Sequence, residues 1–393
     1  MKIAYVMPRL HKHGGTEVGI AMLVEDLGRD HDITVFASQV ADLDATRFRW
    51  MRVPTVQRPG IARYLSFLLT NTLMLRTLRR QGHEWDVIHT SGADTALAQV
   101  YTCQYCQAER LRLVRAGVIR HPTATLGQRL RRANALAFYR LTAAMERRIY
   151  GGIQRQLICV SPGIRQDIRR HYRPSGKRMT VVPNAVDQER FHPRLRAESR
   201  PALLNHLGLS DSSVLLLFVG AEWERKGLDV AIETLAALPA DAQRQAHLVV
   251  VGRGDIPHYR SSADRLGVSD RVHFLGQVQA PERYFAASDI FVFPSRYEAF
   301  SLATLEAAAS GLPLAVTRIN GTEDLVEDGE NGHFIPGEGS GAAELLAPLI
   351  VDTRRRQEMR AAARASVARF SREHVASATL DVYDRVISRA GVP

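Results

Sequence analysis

Short apolar runs punctuate this chain, each four to seven residues long and bounded by glycine, proline or a polar turn. They fall at Lys2–Met7, Asp32–Ala37, Trp85–His89, Ala98–Thr102, Gln156–Val160 and Thr180–Val186. They resume at Val214–Gly220, His247–Gly252, Val272–Leu275, Ile290–Phe293 and Leu314–Thr317. Runs this short and this uniformly apolar read as strands covered on both faces. The segments between them carry apolar residues at helical spacing. Strand alternating with helix predicts an α/β protein built on doubly wound, parallel sheets. The alternation runs once to Val186 and starts afresh at Val214, so two such domains are expected, and 393 residues suffice for two cores. The polar connection Arg194–Arg200 puts the boundary near 195. The expected division is 1–195, 196–370 and a C-terminal helix in 371–393 that crosses back onto the first domain.

Composition narrows the class. No stretch approaches the roughly 20 apolar residues of a membrane span, and the N-terminus enters a strand directly, without a signal-peptide layout. Cys103, Cys106 and Cys159 make no disulfide framework. Cys103 and Cys106 have the spacing of half a zinc site, but no second pair completes it. A reduced, cytoplasmic setting is expected. The net charge is +11, and residues 1–200 hold 33 Lys+Arg against 16 Asp+Glu, leaving 19 against 25 for the rest. Most of the excess lies between Arg110 and Arg178. Residues 107–156 interleave arginines such as Arg110, Arg120, Arg129 and Arg140 with leucines and valines. That pattern suits a solvated face or the surface of an anionic membrane. Ile61–Leu78 also carries leucines at helical spacing, Leu65 and Leu69 among them, and reads as a helix of the first domain ahead of a membrane-surface one.

The most informative stretch is Ser288–Pro313, SDIFVFPSRYEAFSLATLEAAASGLP. A strand, Ile290–Phe293, runs into the loop Pro294–Phe300, and Ser301 caps a helix stopped by Gly311 and Pro313. Glu298 falls in the loop and Glu306 on the helix. Such a loop lies at the carboxyl ends of the strands, where open sheets bind ligands, and the helix N-terminus favours a phosphate. Arg225 and Lys226 follow the strand Val214–Gly220 and could offset a diphosphate. At the N-terminus, strand, Gly14-Gly15 loop and helix form another phosphate-approach device, without dinucleotide GxGxxG spacing or a Walker lysine. His89 ends a strand.

Glu298 and Glu306, set in PSRYEAFSLATLEAAASGLP, together with Gly14, Gly15 and Glu17 and with VGAEWERKG, resemble the family 4 retaining glycosyltransferases of GT-B architecture. In motif form they resemble the bacterial lipopolysaccharide core glucosyltransferases. The resemblance implies two Rossmann-like domains facing a cleft, and a nucleoside-diphosphate sugar as donor, a UDP-sugar ahead of a GDP-sugar. It implies no cofactor and no metal. Arg225 and Lys226 would hold the donor phosphates, and the amides around Phe300, Ser301 and Leu302 the distal one. Glu306 would accept from the ribose hydroxyls and Glu298 would face the transferred sugar. Gly14, Gly15 and Gly252 would let backbone approach the donor. His89 is the nearest match to a family histidine at the strand ends. The acceptor would be a saccharide or lipid-linked intermediate of the cell envelope, with an anionic membrane as a further partner and no nucleic acid. Two rivals stay open: an epimerase or hydrolase on the same architecture, and a basic module without catalysis. The second leaves Glu298 and Glu306 unexplained, and product analysis with water as sole acceptor separates the first.

Overall fold

The computed structural model describes residues 1–12, 15–119, 125–152 and 155–390. Gly14 and Arg120 lie outside the described residues. The chain forms two compact units, Met1–Ala185 with Arg372–Pro393, and Val186–Ser371. Fifteen strands and fifteen α-helices are present among the described residues.

Unit 1 holds strands β1 (Lys2–Val6), β2 (Arg9–Leu10), β3 (Asp32–Ala37), β4 (Gln39–Val40), β5 (Arg49–Arg52), β6 (Val87–Ser91), β7 (Val100–Cys103), β8 (Gln156–Cys159) and β9 (Met179–Val181). All but β2 and β4 join one seven-stranded sheet, ordered β5-β3-β1-β6-β7-β8-β9. Every pairing is parallel. Around it lie α1 (Gly15–Leu27), α2 (Gly60–Arg80), α3 (Gln107–Arg115), α4 (Leu126–Tyr150) and α5 (Pro162–Tyr172). Local sequence sets several starts. Thr125 and Gln128 form a capping box for α4, and Ser161 caps α5 with Pro162 in its first turn.

Unit 2 begins with α6 (Arg196–Leu207) and carries β10 (Val214–Val219), β11 (Ala246–Val251), β12 (Val272–Gly276), β13 (Ile290–Phe293), β14 (Leu314–Val316) and β15 (Gly332–Phe334). These form a parallel sheet ordered β12-β11-β10-β13-β14-β15. Its helices are α7 (Trp223–Lys226), α8 (Leu228–Ala237), α9 (Ala240–Gln245), α10 (Ile256–Arg265), α11 (Pro281–Ala287), α12 (Leu302–Ala309), α13 (Gly339–Val351) and α14 (Thr353–Ser366). β10, VLLLFV, is buried through its first five residues, as strands covered on both faces must be. In each sheet the strand order reverses beside the first strand, between β1 and β6 and between β10 and β13. Ligands of open α/β sheets bind outside the carboxyl ends at such switch points.

The last helix, α15 (Arg372–Ala390), belongs to unit 1. Its Val382 and Tyr383 are fully buried in the core of β1, β3 and α1. A buried hydrogen-bond chain ties it to the sheet. Tyr383 Oη lies 2.6 Å from Tyr5 Oη and 2.6 Å from His89 Nδ1, while His89 Nε2 lies 2.7 Å from Thr102 Oγ1. This places His89 differently from the catalytic candidate of the sequence. Both ring nitrogens are occupied, the side chain is wholly buried, and burial pushes its pKa down to about 3. It is a neutral core histidine joining β6, β7 and α15.

The expected boundary near 195 also moves, to Ala185–Val186. Phe191 packs edge-to-face on Phe285 at 5.5 Å. Arg196 and Arg200 of α6 reach the buried Asp289 at 2.6 and 2.7 Å, and the same carboxylate accepts from Leu215 N at 2.9 Å. The polar connection is thus charge-anchored to unit 2 rather than being a solvated linker. Among the described residues, no helix is long and apolar enough to cross a membrane.

Two outcomes are expected in chemical denaturation. Tyr383→Phe leaves two buried partners short of one hydroxyl and should cost about 1–3 kcal/mol. An unchanged midpoint would remove the chain of hydrogen bonds from the account of unit 1. Asp289→Ala strands two guanidinium groups and should cost about 3–5 kcal/mol, whereas a loss below about 1 kcal/mol would return the contact to the surface class.

Candidate active site

Two loops meet at the switch point of unit 2, one after β10 and one after β13. The first needs two unusual backbone positions. Glu222 is left-handed (φ 54) and Gly227 has φ +78, where a Cβ would sit 2.1 Å from Pro294 O. Only glycine allows that approach. The loops are then stitched together. Arg296 N and Ser295 Oγ donate to Arg225 O at 2.9 and 3.3 Å. Behind them Arg296 pairs with Asp229 at 2.5 Å.

This stitching brings together three residues singled out from the sequence. Glu298 Oε1 lies 2.7 Å from Arg225 Nη1, 3.3 Å from Lys226 Nζ and 3.4 Å from Ser295 Oγ. Arg225 also donates to Tyr297 O at 2.5 Å and, through Nε, to Glu222 Oε2 at 2.7 Å. Lys226 Nζ sits 4.5 Å from the centre of the Phe293 ring. Glu298 is buried. Burial pushes its carboxyl up, but Lys226 and Arg225 outweigh that, and its pKa ends below the ordinary value. The cluster therefore holds an ionised carboxylate against two cations.

Glu306 is on α12, as its spacing predicts. The residue as a whole is half-buried, yet its carboxyl lies deep enough that burial pushes its pKa up to about 7. Arg190 and Lys226 oppose that shift only in part. Phe300 and Ser301 are buried, and Ser301 Oγ accepts from Thr304 N at 3.2 Å. The amides of Leu302 and Ala303 have no partner inside the helix. Gly252 directly follows β11 at φ +128, where a Cβ would fall 1.9 Å from Gly220 O. Its backbone thus packs against the end of β10.

Unit 1 has a cavity of about 390 Å³ at its own switch point, where β1 and β6 end. Glu17 lines it and pairs with Arg9 at 3.5 Å, while Gly15 opens α1 and is exposed. Two carboxyls there were not singled out from the sequence. Asp94, after β6, is pushed up to about 8 by burial and by Glu17. Glu146 of α4 is pushed up to about 8 by burial, against hydrogen bonds from Tyr172 and the Gln107 amide. The available signal for Glu146 was its solitude, since α4 has six arginines and no other acid. Near pH 7 both carboxyls are largely protonated and can donate as well as accept. Among the described residues, no three His, Cys, Asp or Glu side chains gather as a metal site.

Known proteins resemble this chain in sequence and in fold. The chain is 33% identical over 234 residues to a D-inositol 3-phosphate glycosyltransferase of Xylanimonas cellulosilytica, covering 57% of this chain and 55% of that protein. It is 30% identical over 198 residues to the lipopolysaccharide glucosyltransferase WaaG of Escherichia coli, covering 50% and 53%. The chain thus spans about half the length of these curated relatives. The crystal structure of WaaG superposes with a TM-score of 0.79 at 22% identity, over 97% of this chain and 99% of that one. A sucrose-phosphate synthase of Thermosynechococcus elongatus gives 0.79 at 18%, over 99% of each. HepE of Anabaena, in complex with UDP and glucose, gives 0.71 at 18%, over 98% and 100%. These structures share the GT-B fold. Residues 13–190 match Glycosyltransferase Family 4, and residues 213–352 match Glycosyl transferases group 1. With both sheets matched in this way, the chain belongs to the family 4 glycosyltransferases of GT-B fold.

Proposed function

We propose that this chain transfers a sugar, with retention of configuration, from a nucleoside-diphosphate sugar to a saccharide or lipid-linked acceptor of the cell envelope. The observation that carries this reading is the convergence of Arg225, Lys226 and Ser295 on one oxygen of Glu298, at the carboxyl ends of β10 and β13. A leaving diphosphate gains negative charge as the glycosidic bond breaks, and prealigned cations offset it without reorganising. Glu298 orients those cations and accepts from hydroxyls of the sugar. Glu306 takes the ribose diol, and the first-turn amides of α12 receive the distal phosphate. The leaving phosphate assists removal of the acceptor proton, so the acceptor attacks the face the diphosphate leaves. The cavity of unit 1, with its two protonated carboxyls, suits a hydroxyl-rich acceptor. The UDP in the HepE structure supports uridine over guanosine in the donor. The named role of WaaG in lipopolysaccharide synthesis supports an envelope acceptor.

Calorimetry with UDP and turnover of a UDP-sugar test the cluster together. Arg225→Ala and Lys226→Ala should each weaken UDP binding about ten- to a hundredfold. Glu298→Gln releases both cations from their carboxylate, so it should keep UDP affinity while lowering kcat. Weaker UDP binding in Glu298→Gln, or unchanged affinity in both cation variants, would overturn the assignment. Assays with and without a saccharide acceptor separate transfer from hydrolysis.

Glu306 adds a pH dependence. Its pKa is raised from 4.5 to about 7. Between those values the folded chain keeps a proton that the unfolded chain has lost, so this group's contribution makes stability fall as pH rises. Glu306→Gln should flatten that part of the stability profile. UDP affinity in the wild type should strengthen as pH rises through about 7, because the ionised carboxylate is the better acceptor. A Glu306→Gln variant with the wild-type pH profiles of stability and affinity would refute the role.

A further inference from the structure

A second cluster of charge lies in unit 2, at the amino end of β13, whereas Glu298 follows its carboxyl end. Asp289, just before the strand, is buried and accepts from Arg196 Nη2 at 2.6 Å and Arg200 Nη1 at 2.7 Å. The same arginines close the end of α11. Arg196 Nη1 donates to Ala286 O, Ala287 O and Ser288 O at 3.2, 3.2 and 2.6 Å, and Arg200 Nη1 to Ala287 O at 3.0 Å. From α14, Arg356 Nη1 donates to Leu349 O at 2.7 Å, at the end of α13. Arg360 Nη1 reaches Ser288 O at 3.2 Å, so it shares that oxygen with Arg196.

Charge in this group does not balance. Four guanidinium groups act on one another and on two carboxylates, the buried Asp289 and the exposed Asp352. The carboxyl ends of α11 and α13 offset about half a charge each, which leaves about one positive charge uncompensated. Arg360 is the least satisfied of the four. Its Nη1 has Ser288 O, while its Nε and Nη2 have no acceptor among the described residues. Burial, and then Arg196, push its pKa down to about 10, so it stays charged at neutral pH against the pull of its surroundings. The group is open to water. The side chains of Arg196 and Arg200 are 28% and 18% exposed, and Arg356 and Arg360 are half-buried. A role in capping helices accounts for the bonds to carbonyls but leaves the uncommitted edge of Arg360 unexplained.

We propose that Arg360, with Arg196, Arg200 and Arg356 around it, binds a phosphate-type oxyanion, as inorganic phosphate or a phosphomonoester, at a site separate from the donor loops. The Nε and Nη2 edge of a guanidinium group grips two oxygens of such an anion side by side. A doubly charged anion also offsets the excess more fully than a carboxylate does. Ser288 and Asp289 run directly into β13, about 13 Å long, whose far end carries the loop of Glu298. A bound anion would therefore brace the base of the strand that presents that loop. The inference does not depend on the donor assignment.

Calorimetry and thermal unfolding of the full chain, with inorganic phosphate and with glycerol 3-phosphate, test the site against chloride at matched ionic strength. Phosphate should bind and raise the thermal midpoint more than chloride does. R360Q should weaken phosphate affinity at least about tenfold, while R360K, which keeps the charge, should retain most of it. In chloride R360Q should unfold close to the wild-type midpoint, because removing one crowded cation offsets its lost bond. If R360Q fails to fold, R356Q takes its place with the same expectation. Tighter binding of glycerol 3-phosphate than of phosphate would name a phosphomonoester as the ligand, and the reverse would name the free ion. K226A separates this site from the donor loops. Phosphate binding that K226A abolishes and R360Q leaves intact belongs to the donor cluster and would overturn the proposal. So would equal stabilisation by phosphate and chloride.

Discussion

Burial drives the carboxyl of Glu298 toward its neutral form, and Lys226 with Arg225 pulls it back below its ordinary pKa. The geometry of unit 2 around the site follows from keeping that ion cluster together. The loop after β10 adopts two left-handed positions, at Glu222 and Gly227, to turn Arg225 and Lys226 toward the carboxylate. Backbone held in such regions is common where function sets the geometry. The loop after β13 is clamped from below by Arg296 on Asp229 and from the side by bonds to Arg225 O. A charge cluster of this kind contributes little net stability once desolvation is counted. On the proposed reading, its worth lies in holding cations ready for a ligand more highly charged than Glu298.

The two units solve the same topological problem with different chemistry. Each places its cavity or loop cluster beside the first strand of a parallel sheet. In unit 2 the side chains there are ionised and paired. In unit 1 the carboxyls of Asp94 and Glu146 are pushed up to about 8 and lean toward the neutral form at pH 7. A charged diphosphate and a neutral polyol ask for those two environments respectively. Unit 1 also depends on a distant part of the chain. Tyr383 of α15 completes the core over β1, and its hydroxyl answers both Tyr5 and His89. Without that helix, two polar groups would be buried without a partner.

Much of this was written in the chain order. Apolar runs of the length of a strand, separated by helix-spaced segments, determine parallel sheets, because strands covered on both faces tolerate few polar positions. The motif around Glu298 and Glu306 placed one acid on a loop and one on a helix, and Arg225 with Lys226 after a strand. Those are local properties, set by caps, glycines and periodicity. Burial, partner and ionisation are decided by residues far apart in sequence. His89 reads as a catalytic candidate at a strand end, yet it is closed off by Tyr383 from 294 residues away. The polar run at Arg194–Arg200 reads as a linker, yet Asp289 anchors it to unit 2. Leu65 and Leu69 share the helical spacing of Ile61–Leu78, yet α2 buries Tyr64, Phe67, Asn71 and Leu75 instead. Periodicity records that a helix has an apolar stripe but not which stripe finds a partner. Nor can spacing along the chain reveal the field at a carboxyl group. Only the tertiary structure could ionise Glu298 and leave Glu306, eight residues on, near half-protonation at neutral pH, because the nearby charges and the depth of burial belong to the packed units rather than to the sequence around each residue.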